Sequence, residues 1–110
     1  MLVILAHLER WLYYSFENDR KGAVRYVQTA AVQQEAVEAY DRSLGSPAHR
    51  PRRSTVRARS VAAFWFYLAG DVPRLQRELA ALGGVCTEFP WSWGESDAAK
   101  TYGRARKLAG

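Results

Sequence analysis

The run SVAAFWFYLAG, residues 60–70, constrains the fold more than any other stretch. Five large apolar side chains, Phe64 to Leu68, follow one another, so any regular structure they adopt is apolar on every face. Such a segment sits inside its domain with neighbours on all sides. A buried strand would read the same way, but Ala58, Ala62 and Ala63 and the length of the segment from residue 54 to 69 favour helix. A central helix over 56–69 is therefore expected. With 110 residues and 48% apolar content, the chain has the material for one helical domain, 1–110, around one core.

The segments on either side read as amphipathic helices. Gly70 stops the central helix, Asp71 can cap the next one, and Pro73 stands in its first turn, where a missing N–H costs little. Leu75, Leu79 and Leu82 would line its inner face, and Gly83–Gly84 end it. Residues 85–89 could form a short extended segment and 90–94 a loop. Ser96 or Asp97 can then cap a last helix through about Leu108, with Ala99, Tyr102 and Ala105 inward.

In the first half, residues 2–18 carry Leu5, Leu8, Trp11 or Leu12, and Phe16 on one face. ENDRKG, residues 17–22, reads as a turn. Residues 23–44 read as one helix in which Tyr26, Ala30, Gln33, Val37, Tyr40 and Leu44 recur at heptad spacing. That seam predicts the partner of residues 2–18 or, alternatively, a homodimer interface through Tyr26, Gln33, Val37 and Tyr40, with Gln33 fixing the register. GSPAHRP, residues 45–51, is a linker between two helical hairpins. The expected fold is all-α: a small bundle of about five helices, two antiparallel hairpins plus a C-terminal helix, with little or no sheet. Phe64, Trp65, Phe66, Leu68, Leu75 and Leu79 should fill its core, together with Leu8, Leu12 and Val37.

AFWFYLAGDVPRLQRELAAL, residues 63–82, resembles the turn region of a tetratricopeptide unit. Ala63, Phe66, the Gly70–Asp71 turn, Leu79 and Leu82 fall where that family places small and large apolar residues, while Leu75 stands where the family usually has alanine. The resemblance covers about a quarter of the chain. It implies a helical scaffold that binds peptides or other proteins, although the usual groove of that family needs stacked units.

Charge is distributed unevenly. No acidic residue lies between Asp41 and Asp71, and that window holds six arginines. Arg50, Arg52, Arg53, Arg57 and Arg59 could meet phosphates from a loop and a helix entry; alternatively, they form a solvated face or pair with carboxylates inside the protein. On a helix from 54, Arg57 and Arg59 point about 200° apart. Lys100, Arg104, Arg106 and Lys107 form a second, weaker basic patch. In FPWSWGES, Trp91 and Trp93 point to opposite sides if the loop is extended, one over the core and the other outward as an anchor for a protein partner; alternatively, both pack over a helical end as an apolar lid.

Catalytic signatures do not emerge. G-x-S-x-G and Gly-rich phosphate loops are absent, and His7, His49 and Cys86 are not at metal-ligand spacing. Glu35 and Glu38 read as surface carboxylates, Glu38 pairing with Arg42. The leading expectation is a non-enzymatic protein-interaction module that self-associates or binds another protein, without cofactor or metal. The runner-up is accessory nucleic-acid binding through the arginine segment. A third reading, a small enzyme or ligand-binding protein, requires a pocket near Trp91, Trp93 and Glu88. A lone cysteine and a short apolar start, without the length of a membrane span or the basic region of a signal peptide, favour a reduced, cytoplasmic setting.

Overall fold

A computed structural model of the chain describes residues 2–48, 55–94 and 97–110. Among these residues the chain is all-helical, with six α-helices, one single-turn 3₁₀ helix and no strand. Its contacts group it into two compact units, residues 1–49 and 50–110, and the division falls inside the Gly- and Pro-containing stretch 45–51.

The first unit holds α1 (Leu2–Phe16), α2 (Arg20–Gln28) and α3 (Ala30–Asp41). Each helix contributes buried residues one turn apart: Ile4 and Leu8, Ala23 and Val27, Ala36 and Tyr40, with Leu44 one turn further on. Residues at i and i+4 share a helix face, so three short apolar stripes meet. Gly45 packs so closely against the buried Tyr40 ring that a Cβ there would meet the ring at 2.8 Å. The register of α1 differs from expectation. Ile4, not Leu5, is buried, and Phe16 is exposed; it lies about 120° round the helix from Ile4.

The expected single helix over 23–44 is interrupted. Thr29 is extended (φ −63°, ψ 125°) and serves both as the C-cap of α2 and the N-cap of α3. Its hydroxyl donates to the Arg25 carbonyl at 2.9 Å and its N–H to the Tyr26 carbonyl at 3.2 Å. A threonine can satisfy local backbone groups with its side chain, which makes a corner competitive with helix continuation. The start of α2 also lies within the expected turn: the Asp19 carboxylate accepts from the Gly22 N–H at 2.7 Å and caps the helix.

The second unit holds α4 (Thr55–Ala69), α5 (Val72–Leu82), the 3₁₀ turn Trp91–Trp93 and α6 (Ala98–Ala109). Seven consecutive residues of α4, Ser60 to Phe66, are buried, as an all-apolar helix requires. Helix α5 gives α4 its most extensive contact. Asp71 caps α5, its carboxylate accepting from the Arg74 N–H at 3.3 Å. Gly83 ends it in the left-handed conformation (φ 60°), where glycine has no Cβ to clash. The inner face of α5 consists of Leu75, Glu78 and Leu82, while Leu79 is only half-buried. Helix α6 is capped by Asp97 and buries Ala98, Thr101, Tyr102, Ala105 and Ala109; the expected inward Ala99 is exposed.

Candidate functional site

The formal charge of +5 belongs entirely to the second unit, which carries eleven basic and five acidic residues against five and six in the first. Within the second unit the two described arginines of the arginine segment do different things. Arg59 turns inward and forks onto Glu78 of α5, its Nη1 donating at 3.0 and 2.8 Å to the two carboxylate oxygens. The Glu78 side chain is fully buried and that of Arg59 is 18% exposed. Two residues earlier, Arg57 leaves the helix on another side. Its guanidinium lies over the Phe89 ring, 4.8 Å from the centroid. Phe89 in turn meets Trp93 edge-on at 4.8 Å. Arg57 is exposed, and Phe89 and Trp93 are half-buried. Arg50, Arg52 and Arg53 lie outside the described residues.

The two tryptophans of the loop separate, through a 3₁₀ turn instead of an extended loop. Positions two apart on such a turn diverge by about 120°. Trp91 is 0% exposed, edge-on to Phe64 at 5.6 Å and to Tyr102 at 5.2 Å. Trp91 is therefore a core residue and not a partner anchor, because its whole side chain is enclosed. Trp93 is the tryptophan at the surface. Gly94 allows this packing: a Cβ there would come 2.6 Å from Thr101 Cγ2 and 3.3 Å from Phe64 Cε2. Beside this loop, α6 displays Lys100, Arg104 and Lys107 at i, i+4 and i+7, all exposed.

The heptad residues do not form one outward seam. Tyr40 is buried within the first unit, Tyr26 is half-buried against α1, and Gln33 bridges back across the Thr29 corner, its Nε2 donating to Gln28 Oε1 at 3.3 Å. Val37 is half-buried. Once Thr29 breaks the helix, Tyr26 no longer shares a face with the residues of α3.

Sequence reasoning missed a polar cluster in the first unit. His7 of α1 meets the Tyr26 hydroxyl of α2 through Nδ1 at 2.5 Å and Glu35 Oε2 of α3 through Nε2 at 3.0 Å. Their separations of 19 and 28 positions fit no local motif. Glu35 thus has a partner on another helix, whereas Glu38 stands 4.0 Å from Arg42, an exposed pair of little energetic weight. Burial pushes the Tyr26 phenol up; the Arg10 charge opposes this, and Glu35 and Tyr14 add to it.

Two clefts mark the second unit. One of about 370 Å³ lies between α5 and α6, lined by Gln76, Leu79, Tyr102 and Arg106 among others. The other, about 520 Å³, is lined by Cys86, Thr87, Glu88 and Asp97 with the start of α6. It includes Glu88 from the third reading, but neither cleft is lined by Trp91 or Trp93. Partial burial, then Glu88 and Asp97, push the Cys86 thiol up. No group of three or more His, Cys, Asp or Glu among the described residues could hold a metal ion. None of the helices there is long and apolar enough to cross a membrane.

The molecule so described is an all-helical protein with a near-neutral and a basic unit. No family model, curated protein or solved structure matches the chain.

Proposed function

We propose that the chain is a non-enzymatic helical interaction module whose basic unit grips an acidic segment of a protein partner. The observation that carries this reading is the Arg57 guanidinium over the Phe89 ring, which Trp93 meets edge-on. Arginine and tryptophan are the residue types that most often dominate binding energy at protein interfaces. An arginine resting on an aromatic ring is held in place before a partner arrives, which reduces the ordering cost of binding. The excess of eleven basic over five acidic residues in this unit supplies attraction for carboxylates. Self-association through Tyr26, Gln33, Val37 and Tyr40 is not part of this reading, since the Tyr40 ring is enclosed.

The test is a titration of fluorescein-labelled acidic peptides with the full chain, followed by anisotropy at low and moderate salt. Binding is expected, with Arg57→Ala and Trp93→Ala each weakening it by about tenfold, or about 1.4 kcal/mol. Unchanged affinity in both variants would remove this surface from the reading. A second reading, single-stranded nucleic acid, is favoured by the same arginine-on-ring stack, because bases stack on such platforms. A labelled oligothymidylate in the parallel arm decides between the two. Tighter binding than the peptides, with a steep loss on added salt, would put nucleic acid first.

A further inference from the structure

We propose that Tyr26 is a modification site, a phenol activated by His7 and Glu35 to accept a phosphoryl or sulfonyl group from a tetrahedral electrophile. Each of the three residues comes from a different helix of the first unit, so their alignment is set by the unit's packing and not by one flexible segment. A carboxylate has only lone pairs to offer, so Glu35 accepts and His7 Nε2 carries the hydrogen. In that tautomer Nδ1 is a lone-pair acceptor, and the Tyr26 hydroxyl donates to it. The chain of contacts is therefore a nucleophile, a base within hydrogen-bond reach, and a third group that orients the base.

The surroundings suit that role. His7 is only 12% exposed at its side chain, while Glu35 is 62% exposed, so the charged end of the relay stands in water and the base is sheltered. Because burial pushes the Tyr26 phenol up, there is no standing phenolate at neutral pH. The nucleophile arises only as the proton passes to His7. Arg10 lies one turn along α1 from His7, over the Tyr13 and Tyr14 rings at 5.9 Å, and its charge reaches Tyr26. A cation there stabilises negative charge that develops on the oxygens of an attacked phosphorus or sulfur.

With an aryl sulfonyl fluoride the step balances without oxidant or reductant. Tyr26 Oη bonds to sulfur, the S–F bond breaks, fluoride leaves, and the phenol proton goes to His7 Nδ1, where Glu35 stabilises the imidazolium. The group stays on Tyr26. This proposal is independent of the basic unit, and failure of either leaves the other intact.

The full chain would be treated with an aryl sulfonyl fluoride at neutral pH and the six tyrosines followed by peptide mass spectrometry. Tyr13, 55% exposed, is the internal standard. Accessibility alone would label Tyr13 first, whereas base activation labels Tyr26 at least about tenfold faster, a threshold set below the roughly hundredfold that a positioned base supplies at its low end. His7→Ala should bring Tyr26 down to the rate of Tyr13. Glu35→Gln, at an exposed position that leaves folding intact, should slow Tyr26 several-fold with an unchanged far-UV circular dichroism spectrum. Tyr13 reacting as fast as Tyr26 in the wild type, or a Tyr26 rate unmoved in Glu35→Gln, would overturn the proposal.

Discussion

Arg57 and Arg59 stand two positions apart and belong to different environments. The first is exposed on an aromatic ring, and the second is locked to a buried carboxylate. Removing one member of a buried pair costs up to about 3–5 kcal/mol because the remaining charge loses its strongest partner, so Arg59→Ala should lower the stability of the second unit by up to that order. Urea denaturation would measure it, and the double variant Arg59→Met, Glu78→Leu should recover most of the loss. A single-variant cost below about 1 kcal/mol would show that the pair is solvated in solution. The divergence of these arginines is legible in the sequence from helical geometry alone. The partner of Arg59 is not. In LQRELAAL, Glu78 reads as a surface residue and Leu79 as a core one, and only the docking of α4 on α5 turns Glu78 inward. The His7 cluster is less legible still. Its three members are spread over 28 positions, and although the heptad spacing of Tyr26 places it toward residues 2–18, nothing in the spacing singles out His7 or Glu35 as its neighbours.

Elements with strong end signals are legible. Asp71 and Asp97 cap α5 and α6, and Gly83 closes α5, because these residue types satisfy helix-end groups wherever they occur. Thr29 is an ambiguous mark, a residue type that caps helices but is also found within them. Threonine is tolerated inside helices at a small cost in propensity, and the apolar spacing continues across it, so periodicity hides the corner between α2 and α3. The inward face of α6 is legible at Tyr102 and Ala105 and misread only at its start: alanines at 98 and 99 offer no contrast, and it is Ala98 that is buried. The close packing of the loop on α6 depends on Gly94. Gly94→Ala would push a methyl group into the Thr101 side chain and the Phe64 ring, and overpacking of this kind costs about 1–3 kcal/mol. A lower melting temperature by calorimetry is expected. Gly103→Ala, on the same helix as Thr101 with open space around the added Cβ, is the control and should leave the melting temperature unchanged or raise it. Equal effects from the two would mean that the loop does not rest on α6 as described.

For the whole molecule, the all-helical class follows from the absence of alternating patterns and from the abundance of alanine and leucine at helical spacing. The grouping into two units is less visible, because GSPAHRP has the same composition whether it joins two hairpins or two cores. The grouping matters for charge. A value of +5 spread over 110 residues describes a mildly basic protein, but no part of this chain has that character. One unit is one charge below neutral and the other is six above it. A protein retained on an ion-exchange resin is held by the patch it presents, not by its average. The chain should therefore elute from a cation exchanger as though it were only its second unit. Replacing Lys100 and Lys107 by glutamine should bring elution to clearly lower salt, whereas replacing Arg20 and Lys21 should leave it nearly unmoved, although both changes subtract the same two charges. Equal shifts would mean that the resin senses only the total. In a crowded mixture of polyanions the same asymmetry would decide which half of the molecule meets its surroundings first.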